Sequence, residues 1–185
     1  MSKQIKYVIF ETEWGFFGLA ANEAGLVRSV LPVRDIKRAK SLLLKGLEDI
    51  GCRYEKGLMK RVQEDINAYY KGCYVNFDVP VCLDGLTGFQ RAVLSALMGV
   101  KYGEIRTYGE LAKMAGRGTA VRAVGGVLAI NPLPLIIPCH RITYSNGRIG
   151  GFSAFGGVKV KKKMLEMEDG GWKMEDGGWR VEDGG

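Results

Sequence analysis

Residues 107–132 read TYGELAKMAGRGTAVRAVGGVLAINP. Thr107 with Glu110 three residues on is a capping box, and it predicts a short helix through Leu111 to Ala115. Gly116-Arg117-Gly118 is a tight turn. Thr119 is expected to cap a second helix from Ala120 to about Ile130, which Asn131-Pro132 ends. Two short helices joined by a glycine turn make a helix-turn-helix. The second helix carries Arg122 and the adjacent pair Gly125-Gly126. Each of those glycines costs about 1 kcal/mol relative to alanine. Either tight helix packing or the close approach of a nucleic acid is needed to offset that.

Upstream, Thr87 and Gln90 form another capping box, opening a helix with Phe89, Val93, Leu94 and Leu97 inward. Gly99 to Gly103 breaks it. The first eighty residues have a different pattern. Ile5 to Glu11, Gly15 to Ala20 and Leu26 to Leu31 are short β-rich runs separated by turn signals, as in a meander. Asp35 to Leu47 and Gly57 to Tyr70 show helical spacing. Tyr74 to Val81 is a further expected strand, with Pro80 near its end. The fold class is thus an α/β N-terminal domain, a small β-meander with helices, followed by a mainly helical C-terminal domain with a helix-turn-helix. The boundaries are a supporting domain at 1–84, the helix-turn-helix domain at 85–170 and an acidic Gly-Gly-Trp repeat at 171–185. With Gly-Gly every seven residues, that tail reads as disordered.

Of 185 residues, 46% are apolar and 25% charged, the balance of an ordinary globular protein. No apolar run reaches the roughly 18 residues of a membrane span, so no membrane partner is expected. No signal peptide precedes Glu11 and Glu13, so an intracellular chain with reduced thiols is expected. The four cysteines (Cys52, Cys73, Cys82, Cys139) lack CxxC spacing and His140 is the only histidine, so no metal site is expected. The chain has 27 basic and 20 acidic residues. Met167 to Gly185 holds six acids against Lys173 and Arg180, which leaves residues 1–166 with 25 bases and 14 acids, net +11. A body this basic suits a polyanion, nucleic acid first, or else serves solubility alone.

Chemistry is concentrated in PLPLIIPCHRI, residues 132–142. An apolar run ends at Pro138, and a thiol, an imidazole and a guanidinium follow. A cysteine is nucleophilic as the thiolate, which a nearby base favours. Adjacent side chains diverge in extended structure, so His140 would act on Cys139 through a water or after a turn. A general base also needs an acceptor on its far nitrogen, and Glu166 and Glu168 are the candidates. Alone, the adjacency is a weak signal.

Together with the helix-turn-helix, the segment resembles the O6-alkylguanine-DNA alkyltransferases, also called methylated-DNA–protein-cysteine methyltransferases. The resemblance rests on Asn131-Pro132 followed by Pro138-Cys139-His140-Arg141, and on TGFQRAVLSAL, YGEIRTYGELAKMAG, AVRAVGGVLAINPLPLIIPCHRI, NGRIGGF and KKKMLEMEDG in order. It covers about Thr87 to Gly170. NAYYKGCYVNFDVP is the most recognisable piece of the family's variable N-terminal domain.

The resemblance implies a DNA-repair protein that transfers an alkyl group irreversibly, once per molecule, from O6-alkylguanine, and from O4-alkylthymine, to Cys139. It implies that His140 takes the thiol proton through a bound water and that Glu168 orients His140. Asn131 would hold the active-site turn, and Tyr108 would donate to the guanine ring nitrogen. Arg122 would enter the base stack from the minor groove of double-stranded DNA and replace a flipped nucleotide, with Thr107, Ala123, Gly125 and Arg141 also at the DNA. Ile142, Ile149, Gly150, Phe152 and Ser153 would line the substrate pocket. No cofactor is implied, and a monomer in the cytoplasm and nucleoid, or the nucleus, is expected. Phe152 stands where the family commonly has tyrosine, and Ala129 where many members carry a basic residue. The spacing from Cys139 to Glu168 is two residues longer than usual, and Glu166 has the commoner spacing. The alternative is a helix-turn-helix protein that binds alkylated bases without turnover. Members of that class lack the cysteine, and a thiol hydrolase would give no reason for the Arg122 helix.

Overall fold

Three consecutive strands start the chain: β1 (Lys6–Thr12), β2 (Gly15–Asn22) and β3 (Gly25–Val33). The computed structural model describes residues 4–47 and 50–169, so the repeat at 171–185 lies outside the described residues. The chain forms two compact units. The first runs to Asp84 and also takes in Pro132–Ile136; the second comprises Gly85–Asn131 and the chain from Ile137 onward.

In the first unit the three strands form the expected antiparallel meander, and the two-residue β4 (Arg53–Tyr54) adds in parallel to β1, giving the order β3-β2-β1-β4. Alternation along β1 puts Tyr7 and Ile9 on one face, where they join Ala20, Val30, Ala39 and Leu43 in a buried cluster. Ala39 and Leu43 come from α1 (Ile36–Leu44), whose N-terminus is capped by the Asp35 carboxylate accepting from the Arg38 amide at 2.7 Å. A Cβ at Gly18 would come within 3.1 Å of Leu43 Cδ2, so this glycine lets the helix pack close to the sheet. On the opposite face Phe10 meets Phe17, and Phe17 meets Tyr70 of α2 (Lys60–Tyr70), with ring centroids 5.7 and 6.1 Å apart.

Two expectations for this unit are corrected. The helix expected from Gly57 starts only at Lys60, because Met59 sits in the left-handed region at φ 48°. Tyr74 to Val81 is not a strand. It makes a single bridge, with the Leu26 amide donating to Pro80 O at 2.9 Å and the Cys82 amide to Leu26 O at 2.8 Å. Pro80 has no N–H with which to extend a ladder. Ser29 of β3 anchors the inserted segment, its amide donating to Pro132 O (3.0 Å) and its hydroxyl to Pro134 O (2.8 Å).

The second unit begins with α3 (Gly88–Met98), whose Thr87–Gln90 capping box is formed in both directions. Val93, Leu94 and Leu97 are buried and Phe89 half-buried. β5 (Arg106–Thr107) leads into α4 (Tyr108–Met114), capped reciprocally by Thr107 and Glu110. A turn closed by the Arg117 amide to Ala112 O (2.8 Å) leads to α5 (Val121–Ala129). Thr119 does not cap α5. The Ala120 amide closes a turn onto Arg117 O, and Ala120 becomes an N-cap without a side-chain bond. After Ile137 come β6 (Ile142–Thr143), parallel to β5, and α6 (Gly157–Glu168). Among the described residues no helix is long and apolar enough to cross a membrane.

Candidate active site

Cys139–Arg141 form one turn of 3-10 helix between Pro138 and β6. The Cys139 amide donates to Ile137 O (2.8 Å) and the Arg141 amide to Pro138 O (3.0 Å). Successive side chains in such a turn point about 120° apart, so Cys139 and His140 do not alternate as they would in a strand. The side-chain amide of Asn131 donates both to Ile137 O (2.9 Å) and to Cys139 Sγ (3.1 Å). It thereby holds the approach to the turn and the sulfur together. Cys139 is buried. Burial pushes its thiol above the usual value, while the Asn131 hydrogen bond and the Lys161 charge oppose that rise. The resting group is a thiol, so a base must remove its proton.

His140 Nε2 lies 2.7 Å from Glu168 Oε1, with both side chains buried. Burial holds His140 below its ordinary pKa despite the carboxylate beside it. Burial alone would raise Glu168, but the hydrogen bonds and charges of His140 and Arg141 outweigh it and hold this carboxyl at about 2. The pair at neutral pH is a carboxylate accepting from neutral Nε2–H. That tautomer leaves the Nδ1 lone pair as the basic site. Glu166 is not the partner: it is exposed and pairs with Lys162 at 3.7 Å. Arg141, expected at the DNA, is buried. Its guanidinium donates to both oxygens of Glu168 (2.8 and 2.9 Å) and to Val100 O (2.7 Å). Its place is in the internal network, since a charge among so many fixed acceptors has no reason to face solvent. The Gly103 amide adds a further hydrogen bond to Glu168 at 3.3 Å.

Cys139 opens onto a cavity of about 750 Å³, within the range of small-molecule sites. α5 supplies Arg122, Gly125 and Ala129 to its wall, and the loop before α6 supplies Gly151, Phe152 and Ser153. Tyr108 and Tyr144 complete it, their rings 5.0 Å apart. The β5–β6 pairing explains that contact. Thr107 stands opposite Thr143, so the residues that follow each strand become neighbours. Burial, then Tyr144 and Cys139, push the Tyr108 phenol up to about 12, so it remains a hydrogen-bond donor at neutral pH.

Ile142, Ile149 and Gly150, expected on the wall, lie off it. Ile142 and Ile149 are core residues. Gly150, at φ +75°, packs close to both tyrosines, where an added Cβ would be 2.8 Å from the Tyr108 hydroxyl. Arg122 and Ala123 are exposed on α5, whereas the Thr107 hydroxyl is used in capping α4. Sequence reasoning missed Tyr144 and Lys161. Lys161 shares the buried face of α6 with Met164, Leu165 and Glu168, and that i, i+3, i+4, i+7 spacing was its only signal. Among the described residues no cluster of three or more His, Cys, Asp or Glu side chains is arranged to hold a metal ion.

The profile of the family described as 6-O-methylguanine DNA methyltransferase, DNA binding domain, matches residues 88–170. The methylated-DNA–protein-cysteine methyltransferase of Methanosarcina acetivorans is 36% identical over 162 residues, 88% of this chain and 97% of that protein. The protein of the same name from Mycobacterium tuberculosis is 40% identical over 114 residues, 62% of this chain and 67% of that one. Among solved structures, M. tuberculosis O6-methylguanine methyltransferase matches with a TM-score of 0.73 at 29% identity, covering 93% of this chain and 97% of that one. M. tuberculosis OGT in complex with DNA matches with a TM-score of 0.73 at 31% identity, covering 89% and 93%. With the M. acetivorans relative 36% identical and matched over 97% of its length, the chain belongs to the methylated-DNA–protein-cysteine methyltransferase family, the one that its Pro-Cys-His-Arg run and helix-turn-helix resemble.

Proposed function

We propose that this protein repairs alkylated guanine in DNA by transferring the alkyl group to Cys139, once per molecule. The observation that carries the reading is the position of the Cys139 sulfur. It opens onto a cavity rimmed by α5 and backed by the buried His140–Glu168 pair. His140 takes the thiol proton through a bridging water at Nδ1. Sγ attacks the alkyl carbon in line, the S–C bond forms, and the C–O6 bond breaks with its electron pair passing to guanine. Tyr108, protonated at neutral pH, donates to the guanine ring nitrogen as charge develops there. The thiol proton balances the one the freed guanine gains. The thioether has no leaving path, so the protein does not turn over. O4-alkylthymine presents the same alkyl–oxygen bond and is a second substrate on this reading.

A base stacked inside a duplex cannot reach Cys139, so the nucleotide must be flipped out, which costs a few kcal/mol. Arg122, exposed on α5 at the cavity rim, is suited to entering from the minor groove and filling the gap. Ala123, exposed beside it, and the Gly125 backbone face the same partner. In this reading residues 85–170 are the catalytic domain and residues 1–84 support it. The protein acts as a monomer in whichever intracellular compartment holds the DNA. The test is intact-protein mass after mixing with a duplex containing O6-methylguanine. One added methyl group, absent from Cys139→Ser, is expected; repeated transfers per molecule, or an unmodified protein, would overturn the proposal.

A further inference from the structure

Tyr144 lines the same cavity as Cys139 and Tyr108, yet no step of the transfer uses it. It is the first residue after β6. Its backbone is fixed on both sides. The Tyr144 amide donates to Arg148 O at 2.8 Å, and its carbonyl accepts from the Gly147 amide at 3.1 Å. The ring is fixed as well. It packs on Tyr108, with centroids 5.0 Å apart and planes inclined by 40°. Gly150 comes so near that an added Cβ would be 3.2 Å from Tyr144 Cε2.

Despite these contacts Tyr144 remains 46% exposed. A ring that is already ordered loses little conformational freedom when a ligand covers it. A flat base stacked on such a ring gains about 1–3 kcal/mol. Tyr144 also stands beside the phenol that donates to the base, so a base accepting from Tyr108 comes within reach of its face.

We propose that Tyr144 is a specificity-determining residue: its ring is the platform on which the flipped base rests, and it favours guanine over thymine. This rests on the repair reading. The two fused rings of guanine cover more of an aromatic face than the single ring of thymine. The base stays flat while its C–O6 bond breaks, so the contact is equal before and during transfer. It therefore tightens binding without speeding the chemical step.

The experiment compares the parent with Tyr144→Leu and Tyr144→Phe. Single-turnover transfer is followed over a range of substrate concentrations, with urea unfolding alongside. The substrates are free O6-benzylguanine and duplexes carrying O6-methylguanine or O4-methylthymine. Tyr144→Leu should raise the half-saturating concentration of O6-benzylguanine about tenfold and change the limiting rate less than about twofold. Its preference for the guanine duplex over the thymine duplex, at subsaturating DNA, should fall about threefold or more. Tyr144→Phe restores the ring and should recover both values. A lower limiting rate with an unmoved half-saturating concentration would make the ring only a support for Tyr108 and overturn the inference. So would a loss confined to O6-benzylguanine, which would put the benzyl ring and not the base on Tyr144. If Tyr144→Leu does not fold, Tyr144→His decides: its smaller ring should lower the guanine preference, and a parent-like preference refutes the platform. A parent that a methylated duplex fails to alkylate refutes the repair reading instead, whatever the variants do.

Discussion

Glu168 Oε1 lies 2.7 Å from His140 Nε2 and accepts at the same time from the Arg141 guanidinium, with all three side chains shut off from water. The carboxylate therefore sets the histidine tautomer and also neutralises a buried arginine. Removing its charge undoes both. Glu168→Gln should destabilise the fold by about 3–5 kcal/mol, the cost of leaving one ion of a buried pair alone. Transfer to the thiol should also slow. Glu166→Gln, on the solvent side of α6, should stay within about 0.5 kcal/mol of the parent and react at its rate. Urea unfolding and single-turnover kinetics on the two variants check this. Equal effects would mean that the pairing does not govern the chemistry.

The shifted groups also give stability a direction with pH. Glu168 is held at about 2 against an ordinary 4.5, so its contribution is complete above 4.5 and is lost as pH falls toward 2. That contribution is roughly 3 kcal/mol by linkage. His140 is depressed below 6.5, so the unfolded chain takes up its proton first and stability starts to fall below that value. Lys161 is depressed to about 8 from 10.5, so its burial penalty is full below 8 and is relieved as pH rises toward 10.5. All three make stability rise with pH in their own windows. Urea midpoints across the range test this, and a midpoint that is flat from 6.5 down to 2 contradicts it.

Arg122 separates two kinds of DNA contact. A side chain that fills the gap left by a flipped base should matter at saturating duplex and not with free O6-benzylguanine, which needs no flipping. Arg122→Ala is therefore expected to slow transfer from duplex DNA strongly and spare the free base. A phosphate contact would instead weaken affinity, lower the salt slope by about one and leave the saturated rate unchanged. Equal loss on both substrates would place Arg122 in support of the pocket.

What could be read from the sequence was whatever is local. The capping boxes at Thr87 and Thr107 act within three residues and formed as expected. Thr119 failed as a cap because the turn closed by the Ala120 amide moved the start of α5 by one residue. Tyr74 to Val81 alternates in exposure as a strand would, but a ladder also needs donors, and Pro80 has none. Cys139 and His140 were visible by adjacency, whereas choosing between Glu166 and Glu168 required the rotation of α6. Tyr144 was invisible because two-residue strands carry no periodicity. Lys161 was hidden in a run of three lysines that reads as solvated, and only the packing of α6 distinguishes it from Lys162 and Lys163.

Gly125 and Gly126 stand side by side on α5. Both lie inside α5, where glycine costs about 1 kcal/mol relative to alanine. A Cβ at Gly125 would meet Tyr108 Cε1 at 3.9 Å, an ordinary contact, and one at Gly126 would meet nothing within 4 Å. Packing within the protein thus gives no reason for Gly126, which leaves its exposed face for a partner. Gly126→Ala should raise stability by about 0.5–1 kcal/mol. It should leave transfer from free O6-benzylguanine untouched and weaken binding to duplex DNA, since the added methyl holds the sugar-phosphate backbone away from α5. Gly150→Ala makes the contrast: a positive φ and a methyl 2.8 Å from the Tyr108 hydroxyl should lower stability and slow the free-base reaction as well. Unfolding curves, duplex titrations and free-base rates on the two variants decide the point. A stabilised Gly126→Ala that binds duplex as tightly as the parent would show that no backbone approaches α5 there.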